Sequence, residues 1–198
     1  MSKSPEEIYD FLKESLSLKD NIERRKVLTD SMNKLKGSGV NCLSCTGLCC
    51  TFISNSMQTD PVQTLELYLY LRETGMWNED LIKDLLDVIK NNRLDYEIPS
   101  GNRSSFRRTY TCPFYNKGPK GCSISPDSKP FGCLGFNAFD ENVSDGKNCK
   151  SDLSLLKKRE DEFSQCEKMS NDYLKKSLNL YWDKLPMPLA LIELHKVL

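Results

Sequence analysis

Apolar residues recur at helical spacing in five stretches of the chain and lose any regular period in its middle. The first stretch opens with Ser4-Pro5-Glu6-Glu7, which predicts a helix start: serine as N-cap, proline in the first position, and a glutamate reaching back to the cap. Ile8, Phe11, Leu12 and Leu16 then share one face. A second helix is predicted over 20–36, with Leu28, Met32 and Leu35 on its apolar stripe and Gly37 as the residue that ends it. Arg24-Arg25-Lys26 falls opposite that stripe and reads as a solvated face. Asp60-Pro61 marks a third start, and Gly75 its end. The middle of that segment, LELYLYL at 65–71, alternates as a strand would, but the cap and the length favour a helix. Asn78 caps a fourth helix carrying Leu81, Ile82, Leu85, Leu86 and Ile89. A long fifth is predicted over 152–180, with Phe163, Cys166, Tyr173 and Leu178 near one side. Pro186 and Pro188 then break the chain before a short apolar tail, 189–194.

Between 93 and 150 the pattern changes. IPSGN, NKGPKG, SPDSKP and DENVSDGKN punctuate the segment with turn-forming residues, and few apolar residues are left to build a core. A stretch this long without helix or strand periodicity is unusual inside a compact domain. It holds four cysteines, and a metal site would supply order that hydrophobic burial does not. The expected fold class is therefore mainly α: helices packed around an irregular cysteine-rich metal-binding centre, with little β. At 198 residues one domain is expected, with N-terminal helices over 1–41, a cysteine-cluster metal-binding core with inserted helices over 42–150, and C-terminal helices over 151–198.

Charge narrows the partners. Lys and Arg number 28 and Asp and Glu 28, so no net field draws the chain to nucleic acid or to an anionic membrane. The opening MSKSPEEIYD has no basic segment followed by an apolar one, which argues against a signal peptide. No run of about 18 apolar residues is present, so no membrane span is expected and the expected location is cytoplasmic. In that compartment thiols stay reduced, and clustered cysteines are metal ligands or catalytic thiols more often than disulfides.

Eight of the nine cysteines lie in two blocks: Cys42, Cys45, Cys49 and Cys50, then Cys112, Cys122, Cys133 and Cys149. The first block, CLSCTGLCC, begins with a C-x2-C loop short enough to bring two sulfurs to one metal. Cys49 and Cys50 are adjacent, and neighbouring side chains tend to point apart. They are expected to face different ligand sets, or one of them not to bind. The second block is spaced by nine, ten and fifteen residues, which suits single ligands presented by successive turns. Pro113, Pro130 and Gly132 sit beside these cysteines and stiffen or bend the backbone there. Cys166, on the inner side of the long helix, reads as a packing residue. A sulfur-only set selects zinc, Cu(I) or iron–sulfur chemistry over magnesium or calcium. His195 is the only histidine, so sites needing two are excluded within one chain.

In this order the cysteines resemble a bacterial and archaeal cysteine-cluster family of the CxxCxxCC type, described as a zinc- or iron-chelating domain. Cys42, Cys45, Cys49 and Cys50 match its first signature. Cys112-Pro113-Phe114 opens the second, Cys122-Ser123-Ile124, Pro130, Cys133 and Phe136 continue it, and Cys149 matches the last cysteine. The resemblance covers about 42–150 and leaves the flanking helices outside. One extra residue separates Cys45 from Cys49, and another separates Ser125 from Lys129. Lys129 and Leu134 stand where the family has arginine, and Ser125 where it has tyrosine. The resemblance implies zinc or iron held by the eight cysteines, with an iron–sulfur cluster among the options. The flagellin lysine methylases, more distantly similar, carry the arrangement in a longer chain.

Other features carry less. Arg103, Arg107 and Arg108 interleave with Phe106, Tyr110, Phe114 and Tyr115, and Lys117 and Lys120 follow. Such a stretch binds single-stranded nucleic acid in some proteins and packs its rings on a metal knot in others. No Gly-rich phosphate loop is present. His195 reads as an exposed or tail-packing residue, and Glu66 as a candidate oxygen ligand. Three functions stand: a cytoplasmic zinc- or iron-binding protein, an iron–sulfur enzyme acting on a protein or small molecule, and a zinc-stabilised module that binds a protein or nucleic acid.

Overall fold

A computed structural model describes residues 3–38, 47–96, 108–116, 121–138 and 149–198. Within them lie seven α-helices and four very short strands. α1 (Pro5–Ser15) begins with a complete capping box, the Ser4 side chain accepting from Glu7 N and the Glu7 carboxylate accepting from Ser4 N. α2 (Asn21–Gly37) is capped by Asp20, which accepts from Ile22 N. Gly37 is its last residue, and Ser38 takes the capping place. α3 (Pro61–Glu73) and α4 (Glu79–Asn92) start at Asp60 and Asn78, as the sequence marks them. The long helix α6 (Leu153–Ser177) is capped by Asp152.

Two helices depart from the sequence reading. α5 (Phe131–Leu134) is a single turn inside the irregular middle. α7 (Met187–His195) occupies the expected apolar tail, with Pro186 as N-cap and Pro188 in the first turn, where a missing N–H removes no hydrogen bond.

α3 is the centre of the molecule. Every residue from Pro61 to Tyr68 is buried, as is Leu71. That enclosure accounts for the strand-like alternation, because a helix covered all round has no solvated face for a helical period to mark. α3 packs on α7, α6 and α1, and α7 packs in turn on α4. Leu65, Leu67, Leu71, Leu85, Leu174, Leu191 and Leu194 are fully buried in this core. Each contributes about 2 kcal/mol by leaving water. The middle of the chain also supplies core: Tyr110, Phe114 and Ile124 join the main cluster, and Phe131 and Leu134 pack with Leu28 in a smaller one. It is richer in buried side chains than its turn-forming composition implies.

The strands act as ties. β1 (Gln58–Thr59) pairs antiparallel with β4 (Leu185–Pro186), fixing the segment after the first cysteine block to the start of α7. β2 (Phe136–Ala138) pairs antiparallel with β3 (Cys149–Ser151), with Ala138 opposite Cys149. No helix among the described residues is long and apolar enough to cross a membrane.

The largest departure lies on α2. Arg24 and Arg25, expected on a solvated face, are completely buried, while Lys26 is exposed and pairs with Asp30 at 2.8 Å. α2 is covered by α6 on one side and by the 126–134 region on another, so its charged side meets carboxylates instead of water. Arg24 binds Glu66, and reaches Glu167 at 2.6 Å. Arg25 lies 2.9 Å from the other Glu66 oxygen and donates from Nε to the Lys129 carbonyl at 2.9 Å. Tyr9 donates to Glu66 at 2.9 Å, and Arg159 grips Glu167 with both guanidinium arms. Glu66, suggested as a metal ligand, is thus committed to two buried arginines.

Candidate metal centre

Four stretches of chain are held by hydrogen bonds, three to one another through their backbones and the fourth through the Gln63 side chain. In the first, Gly47 has φ +70°, and a Cβ there would lie 2.1 Å from the Tyr115 ring, so only glycine fits. Cys50 N donates back to Gly47 O at 2.8 Å, closing a short turn over Leu48–Cys50. The second segment crosses the first: Cys112 N donates to Cys50 O at 2.7 Å, and Tyr110 N donates to Asn55 O at 2.9 Å. The third lies beside the second, with Ser123 N donating to Phe114 O at 3.0 Å and Tyr115 bridged to Cys122. The fourth is α5. Its first residue is anchored to the helical core, Phe131 N donating to Gln63 Oε1 at 2.9 Å.

Together these segments wall a cavity of about 440 Å³ lined by Cys49, Cys50, Cys112, Cys122 and Cys133. Members of both cysteine blocks therefore meet, although they lie far apart in sequence. Cys149 is not on the wall. Ser151 lines the cavity and lies two residues further along β3, on the same strand face as Cys149. Cys42 and Cys45 lie outside the described residues. Cys166 packs against the core on α6, its thiol donating to Phe163 O at 3.2 Å.

The adjacent pair does not point apart as neighbouring side chains tend to do. Cys49 Sγ and Cys50 Sγ are 3.9 Å apart, and both face the one cavity. The tight turn that holds them removes the opposed directions that an extended backbone would impose. The Cys49 thiol is pushed up in pKa, first by its hydrogen bond with Cys50 and then by burial, while the charge of Lys129 acts in the opposite sense. Cys112 is pushed up by burial and then by the charge that Cys133, Cys122 and Cys49 would each carry. Cys133, Cys122 and Cys49 thus lie within electrostatic reach of Cys112 and oppose its ionisation. A cation among them reverses that repulsion and favours the thiolates.

Among the described residues no three Cys, His, Asp or Glu side chains converge closely enough to hold a metal ion as they stand. The described thiols form a lining rather than a closed shell. Their chemistry fits a soft or borderline metal: Asp60 and Glu167 also reach the cavity, but Asp60 accepts from the Gln63 amide at 2.6 Å and Glu167 is held by Arg159. His195 is engaged elsewhere, 3.1 Å from the Tyr68 hydroxyl and packed on Trp77.

No family model matches the chain, and no similar curated protein or solved structure is found. The resemblance to the cysteine-cluster family therefore stands on its residues, and the site is argued from its geometry.

The basic and aromatic stretch falls partly outside the described residues, which exclude Arg103, Phe106, Arg107, Lys117 and Lys120. Of the rest, Tyr110 and Phe114 are buried, Tyr115 lies on Gly47, and Arg108 donates to the Tyr96 carbonyl. Tyr110 and Phe114 belong to the hydrophobic core and are not free to stack on bases. Two further wall residues, Asn55 and Met57, belong to no motif in the sequence, and Lys129, a third, entered the sequence reading through the resemblance, as the residue at an arginine position. Asn55 Oδ1 accepts from Met57 N at 3.1 Å and the Met57 carbonyl accepts from Tyr110 at 2.7 Å, so this wall is braced by polar contacts between distant segments.

Proposed function

We propose that this protein binds zinc or iron through cysteine thiolates drawn from both blocks. The observation that carries the reading is that three separate segments, 47–57, 108–116 and 121–138, tied by hydrogen bonds, bring five cysteines to one cavity. Four thiols would ordinarily suffice for a closed zinc site or for an iron–sulfur cluster. Cys49, Cys50, Cys112, Cys122 and Cys133 are the candidate ligands on the wall, with Cys42, Cys45 and Cys149 as the further candidates that the sequence places in the same set. Zinc bound there would supply structural closure, and iron would supply redox chemistry. The protein's own part is to hold the thiols at fixed positions through the Cys112–Cys50 and Phe131–Gln63 hydrogen bonds.

A panel of single substitutions tests this. Cys112→Ser, Cys122→Ser and Cys133→Ser are each expected to lower bound zinc or iron at least about tenfold in affinity, because the thiolate is the ligand and a hydroxyl is a poor replacement. Cys166→Ser is expected to leave metal content unchanged. Unchanged metal content in all three cavity variants would contradict the reading.

A second reading, an iron–sulfur enzyme, is favoured by one observation. The cavity extends beyond the thiols along Met57, Phe131, Phe136 and Leu156, and its volume falls within the ordinary range for small-molecule sites. A substrate bound there would lie beside the metal.

A further inference from the structure

We propose that the cavity takes a net-anionic metal centre, one whose thiolate charge exceeds the charge of its metal, and that Lys129 is the cation that stabilises it. This rests on the metal-binding reading and adds the sign of the centre's charge and a residue outside the cysteines that supports it.

The ground for it is a concentration of buried positive charge behind one wall of the cavity. Arg24, Arg25, Lys129 and Arg159 are all buried, while Glu66 is the one buried carboxylate among the described residues and Glu167 is nearly so. Three guanidinium groups share these two carboxylates. Arg25 Nη2 is buried and finds no hydrogen-bond acceptor. Among the described residues the network thus keeps one positive charge in excess, in a setting where an uncompensated ion is costly.

That charge is transmitted to the cavity. Phe131 lies on the cavity wall, with the Arg159 guanidinium 3.5 Å and the Arg25 guanidinium 4.8 Å from its ring centre. Arg159 reaches the cavity as well. Lys129 lines it directly, and its backbone is fixed by the hydrogen bond from Arg25 Nε to its carbonyl. At the exposed rim Glu160 and Lys184 offset each other. Adding Lys129 and the half-buried Asp60, whose charge acts on Arg25, leaves the sum at one positive charge among the described residues. A ligand set of four thiolates outweighs a divalent ion and carries the matching negative charge, whereas a neutral or cationic centre would add to the surplus.

The test is zinc affinity of the full chain, measured by competition with a chromophoric chelator, for the natural protein and for Lys129→Met and Lys129→Arg. Lys129→Met is expected to weaken zinc binding about tenfold or more, and Lys129→Arg to stay within about threefold, since it keeps the charge. Lys129→Gln gives a second neutral variant should the methionine variant fail to fold. Unchanged affinity in the neutral variants would overturn this proposal while leaving metal binding intact. Equal weakening in the neutral and arginine variants would assign the effect to packing and also overturn it. A natural protein that takes up neither zinc nor iron would overturn the metal-binding reading itself.

Discussion

Replacing Glu66 by alanine is expected to remove about 3–5 kcal/mol of stability, a large share of the roughly 5–15 kcal/mol that holds an ordinary domain folded. The carboxylate has only 2% of its side chain exposed and is shared by Arg24 and Arg25, both fully buried. Without it two guanidinium groups remain away from water with one carboxylate, Glu167, reaching only Arg24 of the pair. Arg25 already sits under strain of this kind: burial, and then the charge of Arg24, lower its pKa to about 9. Glu66→Gln is expected to be nearly as damaging, because it keeps the shape and removes the charge. Lys26→Ala, on the exposed side of the same helix, should change stability by less than about 0.5 kcal/mol. Urea unfolding followed by far-ultraviolet circular dichroism measures all three. A loss below about 1 kcal/mol for Glu66→Ala would show that the network is not the anchor that its burial indicates.

Stripping metal is expected to have an effect as large but local. Saturating a site at a thousand times its dissociation constant adds about 4 kcal/mol to the folded state. Here that gain belongs to segments 47–57, 108–116 and 121–138, which contribute most of the cysteines to the cavity wall, while the leucines buried in the α3, α4 and α7 core come from helices outside those segments. A chelator should therefore lower the melting temperature and speed amide exchange at Cys50, Cys112 and Ser123, with little loss of helical signal. Unaltered exchange in those segments after chelation would contradict the assignment of their order to a metal.

Much of the helical frame was legible because helix starts are written locally. Ser4, Asp20, Asp60, Asn78 and Asp152 all cap helices, and a cap needs only its next few residues to work. α7 was missed as a helix because Pro186 and Pro188 read as breakers, and their harmless place in a first turn depends on where the helix begins. α5 spans four residues, too few to show a period. The burial of Arg24 and Arg25 was illegible for a different reason. Their partners Glu66 and Glu167 are far along the chain, and a helical pattern marks which residues share a face without saying what covers it.

The cysteines show the same division. Their types and spacing named a sulfur-rich site, and the fold gathers five of them, but the side-by-side placement of Cys49 and Cys50 depends on the turn that Gly47 permits against Tyr115. The buried cations near that site come from α2, α6 and the loop before α5, segments that no local motif connects.

The most direct test of the central claim is metal analysis of the full-length protein purified without oxygen, with an absorption spectrum on the same sample. The account predicts about one zinc ion or one iron centre per chain, bound stoichiometrically and lost from the Cys112→Ser variant. A colourless zinc protein would direct attention to binding partners, and a brown one with acid-labile sulfide to a substrate in the cavity. Protein that contains no metal, and takes up neither zinc nor iron after anaerobic refolding with each, would contradict the account.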